Sequence, residues 1–176
     1  GGESSGDHLL MTETASARLS LSKAQTAYKA GDFAPAAESF ARAAQLLREN
    51  GQMLESAEAA NNASVAYLQA GSAAAALEAA EGSDRVFAAG GDSRRQGMAL
   101  ANQAAALEAL GRLEEALDRY IQASDLLKQT GEQEMRALVL KNISTLQLRT
   151  GRQLQALASM DAALDNTPRL SLRERL

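Results

Sequence analysis

The chain has 176 residues, 45% of them hydrophobic but only 3% aromatic and none tryptophan, so its core must be built from Ala, Leu and a few Val, Ile, Met and Phe. That mix suits helices, because Ala and Leu lead the helix-propensity ranking while the β-branched and aromatic residues that fit strands are scarce. A net charge of −4 speaks against nucleic-acid binding, which needs a basic stripe, and the absence of cysteine removes disulfides, thiolate metal sites and thiol nucleophiles.

In chain order, the first eleven residues open Gly1-Gly2-Glu3-Ser4-Ser5-Gly6 without a methionine and read as a flexible leader or the remnant of a longer polypeptide. No transmembrane run or signal peptide is visible, which together with the missing cysteine favours a cytoplasmic location. From residue 12 the chain repeats: Gly31, Gly71, Gly111 and Gly151 fall 40 residues apart, with Gly51, Gly91 and Gly131 midway between them. Self-similarity at such a period marks a repeat array, here four units (12–51, 52–91, 92–131 and 132–171) and a stub, 172–176, that starts like a capping or further helix.

Each unit divides at its central glycine into two helices. In the third unit these are expected at about Arg94 to Leu110 and Leu113 to Gln129, with Gly111 and Gly131 as left-handed stops. Asp32, Ser72 and Asp92 occupy helix N-cap positions. Short connections force antiparallel pairs, and pairs stack on pairs. The second helix of the second unit is the expected soft spot, since Ala80 replaces a large packing residue and the interior Gly82 costs about 1 kcal/mol of helix relative to Ala.

Column by column, the units carry small, large and small residues after the central glycine. Ala36, Ala76, Ala116 and Ala156 come first, then Phe40, Ala80, Tyr120 and Met160, then Ala43, Ser83, Ala123 and Ala163. Before the glycine stand the small residues Ala24, Ser64, Ala104 and Ser144, and Pro168 falls near the end of the last unit. This pattern, over about residues 12–171, resembles the tetratricopeptide repeat, with a period of 40 in place of the usual 34. It is similar to the longer repeats of kinesin light chains and of cell-polarity adaptors that carry an asparagine in the first helix. The resemblance implies an all-α, right-handed α-solenoid of four antiparallel helix pairs, serving as a non-enzymatic interaction module without cofactors.

The first helices carry a stripe at helical spacing: Arg18, Ser22, Gln25 and Lys29; Glu58, Asn62, Val65 and Gln69; Met98, Asn102, Ala105 and Ala109; Leu138, Asn142, Thr145 and Arg149. Asparagine is an indifferent helix former, so Asn62, Asn102 and Asn142 in one column ask for a reason. Their amides offer both a donor and an acceptor, enough to hold the N–H and C=O of an extended peptide. By resemblance this face lines the concave groove, and the three match asparagines that hold peptide backbones there. Gln69, Lys141 and Arg149 complete the candidate peptide site, the two cations suiting an acidic side chain or carboxylate. The competing readings are that the asparagines fix the stacking register, or that the column is inherited from duplication. The alternative function is assembly through end faces or the convex surface, with self-association through terminal helices.

Other signals are weak. Ser20-Leu21-Ser22-Lys23 matches a serine-acylase motif without its companion motifs, and the sequons at Asn62 and Asn142 lie inside expected helices. His8, the single histidine, stands in the leader, so metal binding and histidine-assisted catalysis lack their usual parts. Glu114, Glu115 and Asp118 read as a solvated helix face, with Glu115 pairing Arg119.

Overall fold

A computed structural model describes residues 3–151 and 153–165, with side chains over 12–151 and 157–165. The described residues are all-helical. In order they form α1 (Glu3–Lys29), α2 (Phe33–Glu49), α3 (Met53–Gln69), α4 (Ala73–Ala80), α5 (Ser83–Ala89), α6 (Ser93–Ala109), α7 (Leu113–Gln129), α8 (Gln133–Arg149) and α9 (Gln153–Asp165). α1 includes residues 3–11 of the segment read as a leader. Pro168 and the stub 172–176 lie outside the described residues.

The chain divides into two compact units, residues 1–90 and 91–176. In the first, α2 packs against α1 and α3, and α3 also packs against α4 and α5; in the second, α7 packs against α6 and α8, and α8 against α9.

One turn closes most of these helices. At the end of α6 the Gly111 N–H bonds to the carbonyl of Glu108 (2.9 Å) and the Arg112 N–H to that of Leu107 (2.9 Å), while Gly111 sits at φ +77. This Schellman arrangement satisfies carbonyls that a helix end leaves orphaned, and the left-handed φ costs glycine nothing. The same bond pair recurs around Gly31, Gly51, Gly71 and Gly131. Of the expected N-caps only Asp92 uses its side chain, accepting from the Arg95 N–H at 2.9 Å; Asp32 and Ser72 start their helices without such a bond.

Small residues set the packing distances. Ala24, Ala36, Ala76, Ala104 and Ala116 are fully buried, and Ser64 and Ser144 nearly so. With no bulk at these columns, neighbouring helices approach closely enough for Ser56 Oγ to reach the carbonyl of Ala44 and Ser64 Oγ that of Ala76, both at 2.7 Å. Phe40 and Tyr120 fill the gaps between the small columns and are buried. Met160, in the same column, is 49% exposed, as is Leu157 at 65%. The side chain of Ala156 lies outside the described residues.

The expected single helix after Gly71 is two, which raises the number of helical segments from eight to nine among the described residues. α4 stops at Ala80, Glu81 turns extended (φ −64, ψ 128), and Gly82 takes φ +83 before α5 begins. Ala80 offers no large side chain to hold a continuous helix down, and Gly82 makes the left-handed kink inexpensive.

Candidate functional site

None of the sixteen residues of the sequence-predicted stripe is buried: each is exposed or half-buried, and alternates with fully buried neighbours such as Ala24, Ala63, Ala66 and Ala104. Helical geometry accounts for this, since positions three and four apart share a face while the intervening ones turn inward.

In the first unit, α1 and α3 run beside one another and leave a cleft of ≈ 380 Å³ between their outward faces. Arg18 and Gln25 of α1 and Glu58 and Asn62 of α3 line it, with apolar footing from Leu21, Leu47 and Ala59. The Asn62 side chain is exposed and has no hydrogen-bond partner among the described residues. Its neighbour Asn61 is the buried one, 9% exposed with an unpartnered Oδ1. No sequence signal singles out Asn61, because its column otherwise holds Leu21, Ala101 and Lys141. Gln69, the last residue of α3, is exposed but does not line this cleft.

In the second unit Asn102 is half-buried, with no hydrogen-bond partner among the described residues. Asn142 is half-buried and engaged by a network that sequence reasoning did not foresee. The Tyr120 hydroxyl donates to Glu108 Oε2 at 3.1 Å, and Arg149 Nη1 reaches Glu108 Oε1 at 3.3 Å. The Tyr120 phenol is pushed well above its ordinary pKa, first by burial and then by the Glu108 carboxylate; the Asn142 side chain opposes the shift by hydrogen bonding to the phenol. Asn142 and Arg149 are thus brought together around Glu108 and Tyr120. Arg149 is half-engaged rather than free to meet a ligand carboxylate. Lys141 goes elsewhere: it lines an apolar cleft of ≈ 380 Å³ with Leu138, Met160 and Leu164, between α8 and α9.

Gln103, beside Asn102, is almost fully buried and accepts from the Arg119 guanidinium. That contact takes Arg119 from its expected partner, and Glu115 pairs instead with Arg112 at 2.7 Å, an interaction that lowers the Glu115 pKa. Ser20 is buried within α1, and Ser64, the last residue of one sequon, is buried and bonded to a backbone carbonyl. Among the described residues no group of histidine, cysteine and carboxylate side chains could hold a metal ion, and no helix is long and apolar enough to cross a membrane.

The fold and its repeated first-helix face define a class, the α-solenoid of tetratricopeptide-like helix pairs. Residues 95–169 match the tetratricopeptide repeat family. The solved structure of apo RapI superposes with a TM-score of 0.80 at 13% identity, covering 93% of this chain and 45% of RapI, so the chain spans about half the length of that protein. A Podosopora anserina protein assigned as a kinesin light chain, with nearly identical tetratricopeptide-like repeats, gives 0.73 at 16% identity over 88% of this chain and 77% of its own. BtubC (BKLC) from P. vanneervenii gives 0.62 at 19% identity, covering 94% of this chain and 76% of its own. No curated protein sequence matches the chain. Residues 95–169 thus match the tetratricopeptide repeat family, and the chain shares the fold of the kinesin light chain repeats.

Proposed function

We propose that the chain binds an extended peptide segment of a partner protein through the outward face of its first helices, without catalysing a reaction. One observation carries the reading: Asn62 stands exposed and unpartnered in the cleft between α1 and α3, where a structural asparagine would be buried and bonded. Its amide can give to and accept from a peptide backbone, while Arg18 and Glu58 on the same walls suit side chains of either charge. Asn102 and Asn142 offer the corresponding groups in the second unit. Asn142 does so with its side chain pre-positioned by Tyr120, which lowers the cost of ordering it on binding.

The test is a pull-down comparing wild type with Asn62→Ala, Asn102→Ala and Asn142→Ala combined. Each lost neutral hydrogen bond contributes roughly 0.5–1.5 kcal/mol, so three weaken binding between about tenfold and a thousandfold if roughly additive. An intact fold with unchanged capture rejects the groove. Loss of folding transfers the asparagines to a structural role.

A second reading, self-association through terminal helices, draws on α9. Leu157 and Met160 are 65% and 49% exposed, whereas Leu117 and Tyr120, one period earlier, are 3% and 2% exposed beneath α8. Sedimentation over a concentration series separates this reading, because Met160→Asp abolishes any such association and leaves peptide binding untouched.

A further inference from the structure

On another side of α3, α2 and α4 leave a slot of ≈ 360 Å³. Its floor consists of the methyl groups of Ala44, Ala60, Ala63 and Ala79 and the ring of Tyr67; Gln45, Arg48, Glu78 and Glu81 stand around it. A recess of ≈ 100 Å³ shares Arg48, Ala60, Ala79 and Glu81 with the slot and extends to Gly82 and Ser83, where α4 breaks off.

Two columns of the repeat differ here from the later units. One period after Tyr67 the column holds Leu107, and two periods after it Gln147, both buried. Two periods after Ala79 stands Ser159, whose hydroxyl is 2.9 Å from Gln147 Oε1 and spans the gap. In the first unit Ala79 cannot make that bond, and Tyr67 is only half-buried, its hydroxyl without a hydrogen-bond partner among the described residues.

We propose that this slot receives an arginine or lysine side chain of a partner protein. Alanine methyls suit the aliphatic stem, which buries its apolar length while the charge stays near the rim. The aromatic face and hydroxyl of Tyr67 suit the cationic head. The charge at the site is complementary. Glu78 and Glu81 line the slot against Arg48 alone, and Glu38 and Glu78 are close enough that, after burial, their charges hold the Tyr67 phenol above its ordinary pKa. An acidic or purely apolar side chain would forgo both contacts. The slot is separate from the cleft that holds Asn62, so this site stands or falls independently of the peptide-binding reading.

The experiment is an NMR titration of the ¹⁵N-labelled chain with acetyl-Gly-Arg-Gly-amide, with the norleucine and glutamate tripeptides run beside it. The expected result is saturable shifts at Ala60, Tyr67 and Ala79 with the arginine probe, weakened about fivefold in Glu78→Gln as a lost charge contact at a partly exposed site implies. Ala79→Leu, which fills the slot, removes the shifts. Because Glu78 is exposed, Glu78→Gln keeps the fold and decides the matter even if Ala79→Leu does not fold. Equal binding of the norleucine or glutamate probe, unchanged affinity in Glu78→Gln, no saturable shift, or shifts confined to Glu58 and Asn62 would each overturn the proposal.

Discussion

Gly82→Ala isolates the cost of the break between α4 and α5. Gly82 lies at φ +83, and a Cβ added there meets no atom within 4 Å, so the substitution introduces no clash. What remains is conformational: an L-residue in the left-handed region costs roughly 1–2 kcal/mol, while Ala also stiffens the unfolded chain and returns about 0.4–1 kcal/mol. A net loss of about 0–1.6 kcal/mol follows if the kink persists. The competing outcome is a healed helix. Were α4 and α5 to fuse, Ala at position 82 would gain about 1 kcal/mol of helix propensity, and the extended Glu81 would become helical. Thermal melts and far-ultraviolet circular dichroism separate the two. With the kink kept, helicity is unchanged and the Tm is equal to or as much as about 6 °C below wild type, at about 2–4 °C per kcal/mol for a chain of this size. A raised Tm with added helical signal refutes the claim that the small side chain of Ala80 leaves the helix unable to continue.

Three further outcomes are expected. Ala116→Leu overpacks a fully buried site and destabilises by about 1–3 kcal/mol, whereas Ala109→Leu, at an exposed position, stays within about 0.5 kcal/mol; denaturant unfolding compares them. Asp92→Ala removes the single side-chain N-cap of α6 and costs about 1 kcal/mol by the same assay, with no comparable loss for Asp32→Ala. Tyr120 has a folded pKa above its unfolded value of about 10, so its contribution is complete below that pH and is lost as pH rises beyond it, when the unfolded chain ionises first. Melts from pH 8 to 11 therefore fall more steeply for wild type than for Tyr120→Phe.

Much of the fold was legible because one period governs it. In the third unit the expected second helix, Leu113 to Gln129, is α7, and the first differs by a single residue at each end. The alanine columns were readable because close helix approach tolerates only small residues, and Ala36, Ala76 and Ala116 repeat that constraint. Gly82 was read as a weakness, but its left-handed φ and the resulting break go with the small side chain of Ala80, where other units place Phe40 and Tyr120. The ion pairs were less accessible. Arg119 lies one turn from Glu115, yet turns to buried Gln103, which no local spacing reveals. A usable signal did exist: Glu108 and Arg149 stand 41 residues apart, and Arg94 and Glu132 stand 38 apart. Opposite charges separated by about one period mark pairs between successive first helices, and the same comparison would have reduced the freedom assigned to Arg149. For the asparagine column, sequence indicated the outward face; which members are engaged by neighbours depends on Tyr120, on another helix.

Site-specific photo-cross-linking tests the central claim most directly. A benzophenone side chain placed at position 62, in the cleft between α1 and α3, is compared with one at position 118, exposed on α7, and the chain is irradiated in lysate. The expected result is a discrete cross-linked partner at position 62, competed away by a peptide from that partner's sequence, and none at 118. Cross-linking at 118 alone, or at neither position while wild type still captures the partner, would contradict it.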